Sequence, residues 1–129
     1  MQEPQAQPRP PRILVVDDLA ASAETLKMLL DLEGFHAEIA THGPEAVALA
    51  ADFHPDAVLL DLGLPGMDGY EVARALRAEA GPRSMLLVAL TGYSDAQTIR
   101  RTQEAGFNHH LIKPADMDAL IDLLRRATR

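Results

Sequence analysis

The chain has 129 residues, a length that fits one domain. Of these residues, 47% are hydrophobic and 24% charged, which is the composition of a folded protein. Because it has no cysteine, disulfide frameworks and zinc–thiolate sites are excluded. Twelve Lys and Arg against 19 Asp and Glu give a formal net charge of −7, which argues against direct binding to nucleic acid. The sequence has neither a signal-peptide pattern nor an apolar run of roughly 20 residues, so we expect a cytoplasmic protein without membrane contact.

The first eleven residues, Met1–Pro11, contain four prolines and almost no apolar side chain. Such a segment buries too little surface to offset the entropy lost on ordering. We therefore predict a disordered Pro-rich tail over residues 1–11 and a folded domain over residues 12–127.

Short apolar runs alternate with amphipathic stretches along the rest of the chain. We predict strands over residues 13–16, 35–40, 57–60, 85–90 and 108–112. The predicted helices cover residues 20–32, a stretch that opens at Gly43-Pro44, residues 70–80, residues 95–105 and a last stretch in which Met117, Leu120, Ile121 and Leu124 keep helical spacing.

The third and fourth helices differ in how clearly they show an apolar face. In the third helix, Val72, Ala75 and Leu76 fall on one face. The fourth helix is mostly polar, and Ala96 and Ile99 are its main apolar positions.

Alternating strands and helices predict an α/β fold, a doubly wound five-stranded parallel sheet with helices on both faces. Right-handed crossovers and about 110 residues favour the strand order 2-1-3-4-5, the flavodoxin-like arrangement. In that order the chain reverses direction between strands 1 and 3. A ligand site is expected at the carboxyl ends of those two strands.

Acidic residues follow the two strands that flank this reversal: Asp17 and Asp18 after the first, Asp61 after the third. Any one of them could simply cap the helix that follows. Three carboxylates at one sheet edge, however, repel one another unless a cation neutralises them. A hard ion with oxygen ligands suits such a site, and Mg²⁺ fits it best.

Two further polar residues follow neighbouring strands, Thr91 after the fourth and Lys113 after the fifth. Alone, each would suit a turn or the protein surface. Around a carboxylate they would supply a hydroxyl and an ammonium. Together with a metal and an aspartate nucleophile, these groups are what a transferring phosphoryl group requires.

From Ile13 to about Arg126 the chain resembles the receiver domain of bacterial two-component response regulators. The motifs that carry the resemblance are Ile13-Leu14-Val15-Val16-Asp17-Asp18, Pro55-Asp56, Leu60-Asp61-Leu62, Leu64-Pro65-Gly66-Met67-Asp68-Gly69, Leu90-Thr91-Gly92 and Lys113-Pro114. They cover nearly the whole predicted domain, and they occur in the order of the family.

The resemblance implies that Asp61 is the phosphoacceptor. It implies further that Asp17 and Asp18 bind Mg²⁺ together with Asp61, and that the backbone carbonyl of Gly63 is the remaining protein ligand. Thr91 corresponds to the hydroxyl that bonds the phosphoryl oxygen.

Lys113 resembles the ammonium partner of that hydroxyl, and the bond between Lys113 and Pro114 is expected to be cis. His110 occupies the switch position, where Tyr or Phe is more usual. Leu19 stands where a polar residue is frequent.

Gly63 and Tyr93 border the phosphoryl site, where side chains tune the lifetime of the acyl phosphate. Glycine leaves water less obstructed, and Tyr93 could counter that effect.

The implied partners are a sensor histidine kinase or a histidine phosphotransfer protein as donor. A downstream protein would bind the face formed by the fourth helix, fifth strand and fifth helix, and a phosphorylation-dependent homodimer stays open. The implied role is a signalling domain and not an enzyme. The chain could be a stand-alone regulator, like those of chemotaxis, or a receiver from a hybrid histidine kinase.

Three other functions fit the sequence less well. A flavin phosphate would be repelled by Asp17 and Asp18. An aspartyl phosphatase acting on external substrates usually needs a second acid two residues after its nucleophile, and Gly63 stands there. His109 and His110 are neighbours on a strand and point to opposite faces, so they cannot readily share a metal ion.

Overall fold

A computed structural model describes residues 9–63, 68–92 and 95–128 of the chain. Strands and helices alternate throughout these ranges. In chain order they are β1 (Arg12–Val16), α1 (Ala20–Leu32), β2 (His36–Ala40), α2 (Gly43–Phe53), β3 (Ala57–Asp61), α3 (Gly69–Ala80), β4 (Leu86–Thr91), α4 (Ala96–Glu104), β5 (His109–Ile112) and α5 (Met117–Ala127). Within these ranges we find no helix with the combined length and hydropathy that a membrane span requires.

The five strands form one parallel sheet in the order β2-β1-β3-β4-β5, which confirms the predicted α/β fold and strand order. β1 and β3 are adjacent and central, so their carboxyl ends meet where the chain changes direction. The carboxyl ends of β1 and β3 therefore provide the position at which a ligand site is predicted.

The sheet is buried on both faces because its central strands carry continuous apolar runs, residues 13–16 in β1 and 57–60 in β3. Along β1, Leu14 and Val16 belong to one core cluster, with residues of α2 and α3. Ile13 and Val15 belong to the other, with residues of α1 and α5. A continuous apolar run, rather than an alternating one, is what a strand covered on both sides requires.

The helix starts are fixed by residues that precede them in sequence. Asp68, Asp95 and Asp116 are N-caps whose carboxylates accept hydrogen bonds from first-turn amides of α3, α4 and α5. The N-cap of α2 is His42, whose Nδ1 accepts from the Glu45 amide at 3.2 Å. These caps orient the loops at the carboxyl edge of the sheet, where the candidate site lies.

Two apolar positions of α3 and α4 are less buried than their neighbours. In α3, Ala73 is buried whereas Ala75 is half-buried, because the buried face also includes Ala80 and is rotated accordingly. In α4, Ala96 is exposed in the first turn.

The buried residue of α4 is Thr102, whose hydroxyl donates to the Ile99 carbonyl at 2.7 Å. That internal hydrogen bond lowers the cost of burying a polar side chain, so Thr102 can occupy an inward position. Ile99 is half-buried.

Of the predicted tail, residues 1–8 lie outside the described part of the chain. The carbonyl of Pro11 accepts a hydrogen bond from the His36 amide at 2.9 Å, so the chain already contacts the edge of the sheet there.

Candidate functional site

Asp61 is the last residue of β3, and it is only 4% exposed at the carboxyl edge of the sheet. Its Oδ1 accepts a hydrogen bond from the Gly63 amide at 2.8 Å. Its Oδ2 accepts one from Lys113 Nζ at 2.5 Å. Since each oxygen has its own donor, the carboxylate is held in one orientation.

The structure brings the three predicted acidic residues together. One carboxylate oxygen from each of Asp17, Asp18 and Asp61 lies within 4.8 Å of the other two. Asp17 is buried like Asp61, whereas Asp18 is exposed. Three carboxylates and the ammonium of Lys113 leave two negative charges uncompensated, which a divalent cation would neutralise. The donor set, all hard oxygens, therefore fits Mg²⁺.

Asp17 also has the capping role that the sequence left open. Its amide donates to the Ala40 carbonyl at 3.1 Å and continues the pairing of β1 with β2. Its Oδ1 accepts from the Leu19 amide at 3.0 Å. Leu19 is the N-cap residue of α1 and has no side-chain acceptor, so Asp17 supplies one. A carboxylate has two oxygens, so capping and cation binding can coexist.

Thr91 and Lys113 both lie at this edge. Thr91 is the last residue of β4 rather than the first after it, and it is 5% exposed. Its carbonyl accepts from the Lys113 amide at 2.8 Å, which joins the ends of β4 and β5. The bond between Lys113 and Pro114 is cis, as predicted.

The register of β5 fixes the face on which each histidine lies. His109 pairs with Val88, and His110 pairs with Ala89. Successive strand residues face opposite sides, so the two rings lie on different faces, as predicted. His110 is half-buried on the same face of the sheet as Thr91, two positions along. Within the described ranges, the potential metal ligands that cluster are the three aspartates.

Gly63 lies directly beside the phosphoacceptor candidate. A Cβ at this position would lie 3.3 Å from Asp61 Oδ1, a tight contact that glycine avoids. Two parts of the predicted site, Tyr93 and the segment 64–67, lie outside the described residues.

An apolar groove between α1 and the start of α5 reaches this edge of the sheet and is not among the predicted features. Leu29, Pro114 and Met117 line it, together with Asp17 and Lys113. The signal was present in α1, which has apolar residues on more than one face: Leu29 lines the groove, whereas Leu30 is buried in the core.

A contact between α4 and the start of α3 is likewise absent from the predicted features. The guanidinium carbon of Arg101 lies 4.1 Å from the ring centroid of Tyr70. Two residues 31 positions apart give no local sequence pattern that would reveal such a contact.

Comparisons with known proteins identify the family and the fold. The family described as "Response regulator receiver domain" matches residues 13–125. The DNA-binding response regulator MtrA of Mycolicibacterium paratuberculosis is 39% identical over 118 residues, which are 92% of this chain and 51% of MtrA. The response regulator PleD of Caulobacter vibrioides is 37% identical over 92% of this chain and 26% of PleD. The chain thus spans about half the length of MtrA and about a quarter of PleD.

Solved structures show the same fold. The chemotaxis protein CheY4 of Vibrio cholerae aligns with a TM-score of 0.85 and 25% identity, over 92% of this chain and 98% of CheY4. A CheY-like receiver domain from Methylobacillus flagellatus aligns with a TM-score of 0.78 and 30% identity, over 92% of this chain and 98% of that one. The chain belongs to the response regulator receiver domain family.

Proposed function

We propose that this receiver domain accepts a phosphoryl group on Asp61 from a phosphohistidine. One observation carries the proposal: the buried carboxylate of Asp61 is held by Lys113 Nζ and the Gly63 amide, within 4.8 Å of two further carboxylates. A nucleophile that is already oriented loses little entropy on reaching the transition state. We take residues 12–127 as the domain that performs this reaction.

In the proposed transfer, one carboxylate oxygen of Asp61 forms a bond to phosphorus as the bond from phosphorus to the histidine nitrogen breaks. The bonding pair stays on that nitrogen. The donor imidazole leaves neutral when its other ring nitrogen already carries a proton, and otherwise the departing nitrogen takes a proton from water. Lys113 offsets negative charge on the phosphoryl oxygens, which it can do because its ammonium already lies beside Asp61.

Mg²⁺ is the metal that we propose for this site. Asp17, Asp18, Asp61 and the backbone carbonyl of Gly63 would hold it. When bound, Mg²⁺ neutralises charge on the transferring group and fixes its orientation. The carboxylates would in turn be relieved of their mutual repulsion.

We propose that Thr91 and His110 form the switch. A phosphoryl oxygen on Asp61 would draw the Thr91 hydroxyl toward it, since the two residues end neighbouring strands. His110, on the same face of the sheet, would respond to the space that Thr91 leaves. NMR tests this: the His110 ring resonances should shift when beryllofluoride binds, whereas those of exposed His54, after α2, should not.

We propose a sensor histidine kinase or a phosphotransfer protein as donor, and a cytoplasmic location. A downstream protein would bind the surface formed by α4, β5 and α5, next to the proposed switch. Gly63 supplies no second acid, which favours a signalling role over hydrolysis of external substrates. A phosphorylation-dependent homodimer through the same surface would be an alternative output.

Incubation with acetyl phosphate and Mg²⁺, followed by intact mass measurement, tests the proposal. We expect a gain of about 80 Da, the mass of one phosphoryl group. Asp61→Asn should abolish it, whereas Asp52→Asn, which removes an exposed carboxylate from α2, should not. An undiminished gain in Asp61→Asn would refute the assignment.

A further inference from the structure

α4 is held to the rest of the domain by few contacts. All nine residues of α4 are described, and only Thr102 among them is buried. Helices with little buried apolar surface move at low free-energy cost. The position of α4 therefore depends strongly on the remaining side-chain contacts that it makes.

Arg101 makes the contact that joins α4 to the start of α3. Its guanidinium stacks on the Tyr70 ring at 4.1 Å, and its Nη2 lies 3.9 Å from Asp68 Oδ2. Asp68 and Tyr70, the two partners of Arg101, are themselves held by other contacts. Asp68 caps α3 through its other oxygen, which accepts from the Tyr70 amide at 2.9 Å, and Tyr70 packs against the core.

The two segments that Arg101 joins both begin at the proposed phosphoryl site. The chain reaches Asp68 after Asp61, and it reaches α4 after Thr91. The Leu62 amide donates to the Leu90 carbonyl at 3.0 Å, so the starts of both connections are bonded to each other. A phosphoryl group that bonds Thr91 while attached to Asp61 would act on both segments at once.

We propose that Arg101 is a positioning residue that holds α4 against the start of α3 in the unphosphorylated state. The contacts of Arg101 with Tyr70 and Asp68 then oppose the rearrangement that phosphorylation of Asp61 favours. This proposal rests on the proposed function. A contact made in only one of two states lowers the affinity of any ligand that selects the other state. Removing the contact should therefore strengthen binding of a phosphoryl mimic.

The probe is beryllofluoride with Mg²⁺, and the measurement is its dissociation constant by isothermal titration calorimetry. Arg101→Gln should bind the probe about two to five times more tightly than the wild type, as expected for the loss of an exposed cation–π contact. Arg100→Gln is the matched control, because it removes the same charge from an exposed neighbour on α4. It should bind like the wild type.

Variants of Asp68 and Tyr70 distinguish the loss of the Arg101 contact from a general effect of charge on binding. Asp68→Asn keeps an oxygen that can cap α3, and Tyr70→Leu removes the ring. Each of these substitutions should tighten binding of beryllofluoride. Adding Arg101→Gln to a protein that already carries both should give no further gain in affinity. The melting temperature without probe reports any purely structural loss, which would leave the affinity unchanged.

Unchanged or weaker binding by Arg101→Gln would overturn the proposal. An equal gain in affinity for beryllofluoride by Arg100→Gln would overturn it as well. The same holds if Arg101→Gln still gives its full gain in affinity when Tyr70 and Asp68 are already substituted. If the wild type does not bind beryllofluoride at all, the proposed function itself fails, and this proposal with it.

Discussion

The ammonium of Lys113 lies 2.5 Å from Oδ2 of Asp61, although 43% of the lysine side chain is exposed and only 6% of the aspartate side chain is. The lysine thus reaches from the surface into the acidic site. It supplies a positive charge where three carboxylates converge.

Lys113→Met should strengthen Mg²⁺ binding. Removing a positive charge this close to the carboxylates increases their attraction for a cation by about 1 kcal/mol, or roughly fivefold in affinity. Titration calorimetry with MgCl₂ measures the effect. Lys27→Met removes the same charge at a distance and should leave the affinity unchanged. Equal or weaker binding by Lys113→Met would show that the ammonium does not act on the metal site.

Asp18→Asn should stabilise the protein when EDTA removes divalent cations. Loss of one of three mutually repelling carboxylates contributes about 1 kcal/mol, or a rise of roughly 3–6 °C in melting temperature. Mg²⁺ should then stabilise the variant less than the wild type, since it loses a ligand. Glu24→Gln, an exposed position on α1, is the charge-matched control. A variant that melts lower in EDTA would mean that Asp18 has a structural role.

Replacing Arg77 should destabilise the fold more than replacing Arg74, the other arginine of α3. Its guanidinium donates to the carbonyls of Met85 and Gly106 and to Oδ1 of Asn108, and burial lowers its pKa. Arg77→Met removes the donor to all three acceptors, of which Asn108 Oδ1 keeps the Leu87 amide at 2.8 Å. We expect a loss of about 2 kcal/mol in the free energy of unfolding. Urea denaturation measures it.

The matched control for Arg77 is Arg74→Met, since Arg74 is exposed on the same helix. Equal stabilities of the two variants would contradict a structural role for the Arg77 hydrogen bonds.

Asp31 should make stability depend on pH in the acidic range. Burial alone would raise its pKa, but the Lys27 ammonium and the Ala37 amide, at 2.9 and 3.0 Å, lower the pKa below its ordinary value of 3.8. A carboxylate with a lowered pKa stabilises the fold fully above the unfolded value, and this contribution is lost as pH falls through the folded value.

Asp31→Asn tests this linkage. The wild type should exceed the variant by about 0.5 kcal/mol near pH 7, a small value because the pair is partly exposed and screened. The difference should shrink as the pH falls below 3.8 and through the lowered pKa of the folded state. Chemical denaturation across this range measures it, and a difference that grows as pH falls would contradict the assignment.

The sheet and the acidic cluster could be predicted because both follow from local patterns. Val15 and Val16 lie in a run that is apolar at every position, which specifies a strand buried on both faces. Asp17 and Asp61 follow such runs, and topology alone brings the ends of adjacent parallel strands together.

The packing of α4 could not be predicted in the same way. Its apolar positions are too few to define an inward face, so the burial of Thr102 depended on an internal hydrogen bond. The stacking of Arg101 on Tyr70 depends on how two helices approach each other. Periodicity reports which face of a helix is apolar, but it does not report which polar side chains meet.

The most direct test of the central claim locates the phosphoryl group on the chain. After treatment with acetyl phosphate and Mg²⁺, borohydride reduces an acyl phosphate to an alcohol, which converts the modified aspartate to homoserine. Peptide mass spectrometry then identifies the position. We predict homoserine at residue 61 alone, with Asp17 and Asp18 unchanged. Homoserine at residue 17 or 18, or reduction at several aspartates to equal extent, would contradict the assignment of Asp61 as the phosphoacceptor.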